Sequence, residues 1–388
     1  MSQLKILCGY PYFPSKAYRD LDQWEKETYD YLRKAGFDVE GFCLTLSPPA
    51  HCLPFYELDL RWRRRDKELL EMYDRLEKAL RGKDVFINNA GINLHPEFVK
   101  QLSVFTVFQC FDDPENFDWF SKPVAHAYDL CLVGNIAEVE SYHKWGIKNA
   151  EWMPMGLALG IYNTELTYEK ILEGQRDIDL FMLSDRQSFY RRRRLDKMAQ
   201  AFPDAHFYGR GWPKGYLPYE QELSFLSRAK IGPNISNSTG PVNFRTFYLP
   251  ANGVLLIGDN KKYLGKIFEL NKEAIGFDTV DECVDLCRYY LDHDKERRLI
   301  AANGWRRAIK DYNVISIFQR RLDIIEKYRN KANLESKIPK IDLREQGNPR
   351  NSVLSSLGYP FMWILYFMRL TRRFLRIGIR IILLNMKD

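Results

Sequence analysis

An asparagine and an arginine two residues apart at the start of a helix outline an anion site. In PNISNSTGPVNFRTFYLPANGVLLIGD (residues 233–259) an apolar run leads through a loop rich in Asn, Ser and Gly to Asn243 and Arg245, and a helical pattern follows. This order aims backbone N–H groups, a helix dipole and a guanidinium at one anion. The competing reading of Arg245 is a structural salt bridge. GRGWPKG (209–215) follows a strand-like run, and Gly209 and Gly211 allow a phosphate to approach backbone N–H groups closely, where the alternative is a plain loop. Asp112 and Asp113, adjacent at the end of TVFQCFDDP, are candidates for a general base or for capping the next turn, and His95 in NLHPEF is a second candidate base. Asp177-Ile178-Asp179 has the spacing of a metal-binding pair but stands at a strand entrance, where carboxylates cap or pair, so no metal is predicted. The arginine run 191–194, close to Asp185 and Arg186, has two readings, a place near donor phosphate or the membrane and, more simply, the solvated face of a helix. GxGxxG, GxxxxGK[ST], HExxH and GxSxG are absent, which removes the usual support for dehydrogenases, P-loop enzymes, zincins and serine hydrolases.

The elements that must carry these residues alternate. LKILCGY (4–10) reads as a strand, 19–35 as an amphipathic helix ended by Gly36, and FDVEGFCL as the next strand. A charged helix over about 61–81 leads to DVFINN (84–89), HPEFVKQL, TVFQCFDDP and AYDLCLV (127–133), then to AEWMPMG. A second series begins at DIDLFML (177–183), followed by the arginine-rich helix, AHFYGRGW and AKIGPNIS as strands, FRTFYLPAN as a helix stopped by Gly253, GVLLIGD as a strand, and two longer helices. Two β/α series in succession predict an α/β fold of two Rossmann-like domains facing a central cleft, with an amphipathic helical tail. The expected division is 1–155 for the first domain, 156–312 for the second, 313–330 for a helix closing the fold, 331–352 for a polar, aperiodic linker and 353–388 for the tail.

The chain has 388 residues, 45% of them hydrophobic and 14% aromatic, enough for several folded cores. Its net charge of +7 lies mostly in one place: residues 353–388 carry +5 and the other 352 only +2. A nucleic-acid binder spreads a basic stripe over its folded domain, so no nucleic-acid partner is expected. Seven cysteines without CxxC or zinc spacing read as reduced core thiols. The opening MSQLKILCGYPYF has no long apolar run behind a basic start, which predicts a cytosolic compartment. Val353–Met368 is uncharged but short for a bilayer span and interrupted by Gly358 and Pro360. Beyond it Arg369, Arg372, Arg373, Arg376 and Arg380 fall on one helical face, beside an apolar face that includes Phe374. With Trp363 upstream, this is the pattern of a helix lying in the interface of an anionic membrane, and it predicts a peripheral, monotopic protein on the cytoplasmic face. The alternative is a helix packed on the core or on a dimer partner.

Residues 244–314 resemble the C-terminal half of the group 1 glycosyltransferases, in particular the CgeB-like, spore-maturation-type branch: an arginine, a short helix ending in glycine, an apolar strand, a later acid before another strand, then two helices. The likeness extends over about 177–328, and more loosely to FDDPE (111–115) and to PMG (154–156). It implies a GT-B fold with the nucleotide-sugar donor in the second half and the acceptor in the first. It places Arg245 on the diphosphate, Gly253 at the helix end, and Glu273 on sugar or ribose hydroxyls. In one position the chain departs from the pattern: where the family has Glu three residues after the arginine, it has Tyr248. Either Tyr248 or a different acid serves the nucleotide, or the donor is not the common one.

These readings predict a membrane-associated hexosyltransferase moving a sugar from a nucleotide-sugar to a lipid-linked or surface-polysaccharide acceptor, as in polysaccharide biosynthesis, without a cofactor. The alternatives are a polyol-phosphate transferase of the same architecture using a cytidine nucleotide, and an inactive nucleotide-sugar-binding scaffold.

Overall fold

The computed structural model describes residues 4–11, 21–46, 52–89, 91–186, 191–240, 243–332 and 338–344. The tail residues Arg369, Arg372, Arg373, Arg376, Arg380, Trp363 and Phe374 lie outside them, and among the described residues no helix is long and apolar enough to cross a membrane.

The two alternating series become two parallel sheets. The first contains β1 (Ile6–Tyr10), β2 (Val39–Cys43), β3 (Val85–Asn89), β4 (Phe105–Cys110), β5 (Leu130–Val133) and β6 (Ala150–Trp152), in the order β2-β1-β3-β4-β5-β6. Ile6 lies opposite both Val39 and Val85, so β1 is paired on both sides. The second contains β7 (Ile178–Leu183), β8 (His206–Tyr208), β9 (Ala229–Asn234), β10 (Leu255–Gly258) and β11 (Ile275–Gly276), in the order β11-β10-β9-β7-β8. Strands such as Val85-Phe86-Ile87 are apolar on both faces because helices cover both, which is why they read as continuous runs rather than alternations.

Helix Leu21–Lys34 packs Tyr29 and Leu32 into the core and ends at Gly36, whose φ of +98° suits glycine. The single helix expected over 61–81 is instead two, Phe55–Arg63 and Lys67–Ala79. The break follows from Asp66, whose side chain accepts from Leu69 N and starts a new helix, with Arg65 at φ +54° turning the chain. The sequence reading leaves Tyr219–Arg228 unassigned; it is a helix that buries Leu226.

Helix Val314–Arg329 returns from the second sheet to the first. Phe318 packs edge-on to Phe37 at 4.9 Å, Lys327 pairs with Glu151 at 2.6 Å, and Arg329 pairs with Asp84 at 3.2 Å. One apolar cluster therefore runs from Ile6 and Val85 through Phe318 to Phe247 and Leu249, joining the halves. Residues 338–344, expected within the linker, are docked on the first half: Ile341 N donates to Gln101 Oε1 at 2.8 Å, and Ile341 and Leu343 pack on its core. All seven cysteines are free, five of them buried.

Candidate active site

The carboxyl ends of β7, β9 and β10 converge on Arg245, the first residue of helix Arg245–Ala251. Its side chain is 9% exposed; Nε donates to Asn234 Oδ1 at 2.9 Å and Nη1 to the Leu183 carbonyl at 2.8 Å. Asn234 is itself held by its Nδ2 donating to Thr246 Oγ1 at 3.1 Å. No carboxylate among the described residues pairs with Arg245, so the salt-bridge reading has no partner here. Burial lowers its pKa, against the pull of Tyr248, Asp259 and Asp185.

A second guanidinium stands beside it. Arg191, 7% exposed, donates through Nη1 to the Ile235 carbonyl at 3.2 Å and through Nη2 to the Asp185 carbonyl at 3.3 Å, while Nε is buried without a partner. Burial, and then the charge of Arg245, pushes it down to about 10. Arg194 completes the group, pairing with Asp259 at 3.2 Å and donating to the Ser236 carbonyl at 3.2 Å. The arginine run thus departs in part from the simpler of its two readings, a solvated helix face. Arg192 and Arg193 are exposed, but Arg191 and Arg194, one turn apart, point to the strand ends. Arg191 and Arg245 repel each other and neither is in an ion pair with a carboxylate among the described residues, although Asp185 and Asp259 attract both; such an arrangement can take an anion.

The remaining donor candidates divide. Asn243 Oδ1 accepts from Thr246 N at 3.3 Å and its Nδ2 donates to Ser236 Oγ at 3.3 Å, which caps the helix and ties the loop before it. Tyr248, one turn after Arg245, has a buried hydroxyl with no partner. Gly253 ends the helix at φ +67°. Gly209 is a correction: its N–H is given to the Gly215 carbonyl at 2.7 Å, and a Cβ there would meet Ser184 O at 2.7 Å, so its close approach is to the chain itself and not to a phosphate. Gly211, at φ +87°, belongs to the same loop, which Trp212 Nε1 pins to the Ser184 carbonyl at 2.7 Å. The loop shapes the end of β7. Glu273 closes a turn ahead of β11, accepting from Glu269 N at 2.8 Å, and takes no part in the hydrogen bonds around Arg245. Asp177 and Asp179 pair with Arg228 at 2.5 Å and Lys230 at 2.6 Å at the far end of β7, as carboxylates at a strand entrance do.

In the first half, Asp112 and Asp113 separate in role. Asp113 is fully buried, its carboxylate accepting from Ser121 Oγ at 2.8 Å and Tyr142 OH at 2.5 Å; burial holds its carboxyl up at about 6. Both oxygens are engaged inside the domain, so the structure corrects its placement at the cleft. Asp112 is open to solvent, and desolvation by the surrounding protein raises its carboxyl. His95 is also corrected. It caps helix Pro96–Lys100, Nδ1 accepting from Glu97 N at 3.2 Å, with Nε2 3.3 Å from Asp59 Oδ1 and the ring stacked on Trp62. It is a buried cap.

The residue missed by sequence reading is Glu115. Half-buried, it accepts from Ser238 Oγ of the second half at 3.3 Å, and burial pushes its carboxyl up to about 7. It stands in FDDPE, three residues beyond Asp112, but nothing local in the sequence marks it; its partner Ser238 comes from the other domain. Around it the halves are clasped: Asn135 Nδ2 donates to Ser238 Oγ at 2.9 Å and Thr239 Oγ1 at 3.0 Å, and Thr239 Oγ1 donates to Glu138 Oε1 at 2.6 Å.

Two parallel α/β sheets clasped at the carboxyl ends of their strands, with a group of arginines at the ends of the second, are the architecture of the GT-B fold. Residues 186–323 match the family model described as glycosyl transferase-like. Among solved structures, the chain is similar to sucrose-phosphate synthase from Thermosynechococcus elongatus (TM-score 0.57, 12% identity, 85% of this chain and 100% of that one). It is also similar to a glycosyltransferase from Rickettsia africae (TM-score 0.56, 12% identity, 86% and 100%). A third is HepE of Anabaena, solved in complex with UDP (TM-score 0.54, 12% identity, 84% and 100%). No curated protein matches the chain.

Proposed function

We propose that the protein transfers a sugar from a nucleotide-sugar donor, held by its diphosphate on Arg191 and Arg245, to a hydroxyl of a lipid-linked or surface-polysaccharide acceptor bound in the first half. The observation that carries this reading is the pair of buried guanidinium groups, neither of them in an ion pair with a carboxylate among the described residues. Leaving-group charge develops on the diphosphate, and fixed cations in a desolvated site stabilise it without reorganising. The reading assigns that charge to arginines and calls for no cofactor. It agrees with the HepE complex with UDP and with the likeness of residues 177–328 to the CgeB-like branch. If the anomer inverts, Asp112 or Glu115 takes the acceptor proton, since Asp113 and His95 are engaged elsewhere. The basic tail supports attachment to the cytoplasmic face of a membrane, where a lipid-linked acceptor is confined.

The test is thermal unfolding of the full chain with UDP, GDP, CDP or ADP. A ligand at 100 times its dissociation constant adds about 2.7 kcal/mol. A response to one nucleotide identifies the donor class. A response to CDP alone moves the reading to polyol-phosphate transfer, and binding without turnover moves it to a scaffold. No response to any of the four refutes the phosphate assignment.

A further inference from the structure

Two charged residues interrupt apolar stripes on the first half. Helix Val314–Arg329 buries Val314, Ile317, Phe318 and Ile325, and this spacing puts Arg321 on the same stripe, one turn from Phe318 and one from Ile325. Arg321 is half-buried, with its guanidinium 5.6 Å from the Phe318 ring centre. Its Nε is buried without a partner, and the guanidinium makes no ion pair or hydrogen bond among the described residues. Helix Leu21–Lys34 buries Tyr29 and Leu32, and the half-buried Glu25, one turn before Tyr29, falls on that stripe. Both stripes belong to one apolar cluster with Cys8, Ile87 and Val107 of the first sheet. Burial raises the Glu25 carboxyl, against a hydrogen bond from Tyr29 and the pull of Arg321.

The sheet meets these charges with amides. Asn89 and Gln109 lie opposite each other at the carboxyl ends of β3 and β4, on the same face as Ile87 and Val107. Gln109 is 1% exposed; its Nε2 donates to Asn89 Oδ1 at 3.1 Å, and Asn89 Nδ2 donates to Tyr29 OH at 3.4 Å. This chain of bonds leaves Gln109 Oε1 buried without a donor. The Tyr10 ring lies 6.1 Å from that of Tyr29, and Trp24 Nε1 ties the helix to the Leu159 carbonyl, between the two sheets, at 3.4 Å.

Buried polar groups are almost always satisfied, so an unpaired guanidinium and an unpaired amide carbonyl in apolar surroundings point to a ligand. Its chemistry is narrow. Arg321 only donates, while Gln109 Oε1 and an ionised Glu25 only accept. A phosphate or carboxylate satisfies Arg321 but is repelled by Glu25 and finds no donor at Gln109, whose amide nitrogen is turned to Asn89. An ammonium group satisfies Glu25 and is repelled by Arg321. A hydroxyl accepts from the arginine and donates to the other two, and aromatic rings cover the apolar face of a sugar.

We infer that Arg321, Glu25 and Gln109 bind an uncharged, hydroxyl-bearing sugar ring and select against ionised ones. Taking that ring as the acceptor's reacting end rests on the transfer reading above. Acceptor choice is then made in part by the helix that crosses back from the second half, and not by the first half alone.

The full-length protein is tested by saturation-transfer NMR against the methyl glycosides of glucose, galactose, mannose and N-acetylglucosamine, and against the ionised methyl glucuronide and a hexose phosphate. Nucleotide binding is followed in parallel by thermal unfolding with UDP, GDP, CDP and ADP. An uncharged glycoside should bind and the ionised ligands should not. Arg321→Met should weaken that glycoside roughly 10- to 100-fold, as loss of hydrogen bonds to a charged group does, and Arg321→Lys and Glu25→Gln should weaken it in the same direction. None of these variants should change the response to nucleotide. Free Arg321→Met should unfold at the same temperature as the parent or higher, because an unpaired guanidinium has left an apolar stripe. Unchanged glycoside binding by Arg321→Met and Glu25→Gln, preference for an ionised ligand, or a parent that binds no glycoside overturns the site. If a nucleotide still stabilises the parent, the donor reading stands without it; a parent that binds a glycoside and no nucleotide overturns the donor reading and leaves the site standing.

Discussion

Replacing Arg191 by methionine separates a cation built for a ligand from one built for the fold. In the free protein Arg191 is 7% exposed, bonded only to two carbonyls at 3.2 and 3.3 Å, and held down to about 10 by burial and by Arg245. That displacement opposes the charged folded state by roughly 3 kcal/mol. The sign is that of a base whose folded pKa lies below its unfolded one, so the cost is present at every pH below about 10, neutral pH included. Methionine fills much of the space, removes that cost and gives up two hydrogen bonds worth about 1 kcal/mol each. The free variant should therefore unfold within about 2 kcal/mol of the parent, on either side. Its response to nucleotide should shrink: the roughly 2.7 kcal/mol gained at 100-fold saturation falls to about 0.4 kcal/mol or less at the same concentration if affinity falls 100-fold or more. The assay is denaturant unfolding with and without the nucleotide that stabilises the parent. A variant destabilised by about 3–5 kcal/mol when free, as when a buried ion pair is broken, and still fully responsive to nucleotide would show that Arg191 is a structural strut and refute the reasoning.

Three further outcomes follow from the same geometry. His95→Ala should cost about 0.5–2 kcal/mol of stability as a lost helix cap and leave the turnover of the folded fraction unchanged; a loss of kcat at full stability would restore His95 to the chemistry. Glu115, an acid held near 7, binds its proton more tightly folded than unfolded, so its contribution to stability falls as pH rises from about 4.5 to about 7. The stability of Glu115→Gln relative to the parent should accordingly rise from pH 5 to pH 8, and a flat difference would mean that the carboxyl titrates normally. Deleting residues 353–388 should leave a folded protein that no longer sediments with anionic liposomes, whereas continued sedimentation would take the membrane contact away from the tail.

The fold was legible because its signal is local. Runs such as VFINN and LLIG, buried on both faces, and glycines such as Gly36 and Gly253 at helix ends, announce parallel strands and helix stops wherever they fall. Arg245 was legible for the same reason: its place just after a loop and before an apolar strand fixes it at the strand ends. The arginine run shows where local reading stops. Four consecutive arginines look alike in sequence, and only the packing of Leu195 and Met198 determines that 191 and 194 turn inward. Asp112 and Asp113 likewise part only because Ser121 and Tyr142, 8 and 29 residues further on from Asp113, converge on one of them. Glu115 carries no local mark; what sets it apart is supplied by Ser238 of the other half.

The loop after β9 joins these parts. Asn234, the last residue of β9, orients Arg245; Ser236 N and Arg194 share Asp259; and Ser238 and Thr239 clasp Asn135 and Glu138 of the other half. Gly240 closes the clasp, because a Cβ there would meet Asn135 Oδ1 at 2.2 Å. The same few residues therefore set the direction of the Arg245 guanidinium and join the two domains. Under the proposed reading an anion on Arg191 and Arg245 would relieve their repulsion at one end of this loop, four residues from the clasp at Ser238.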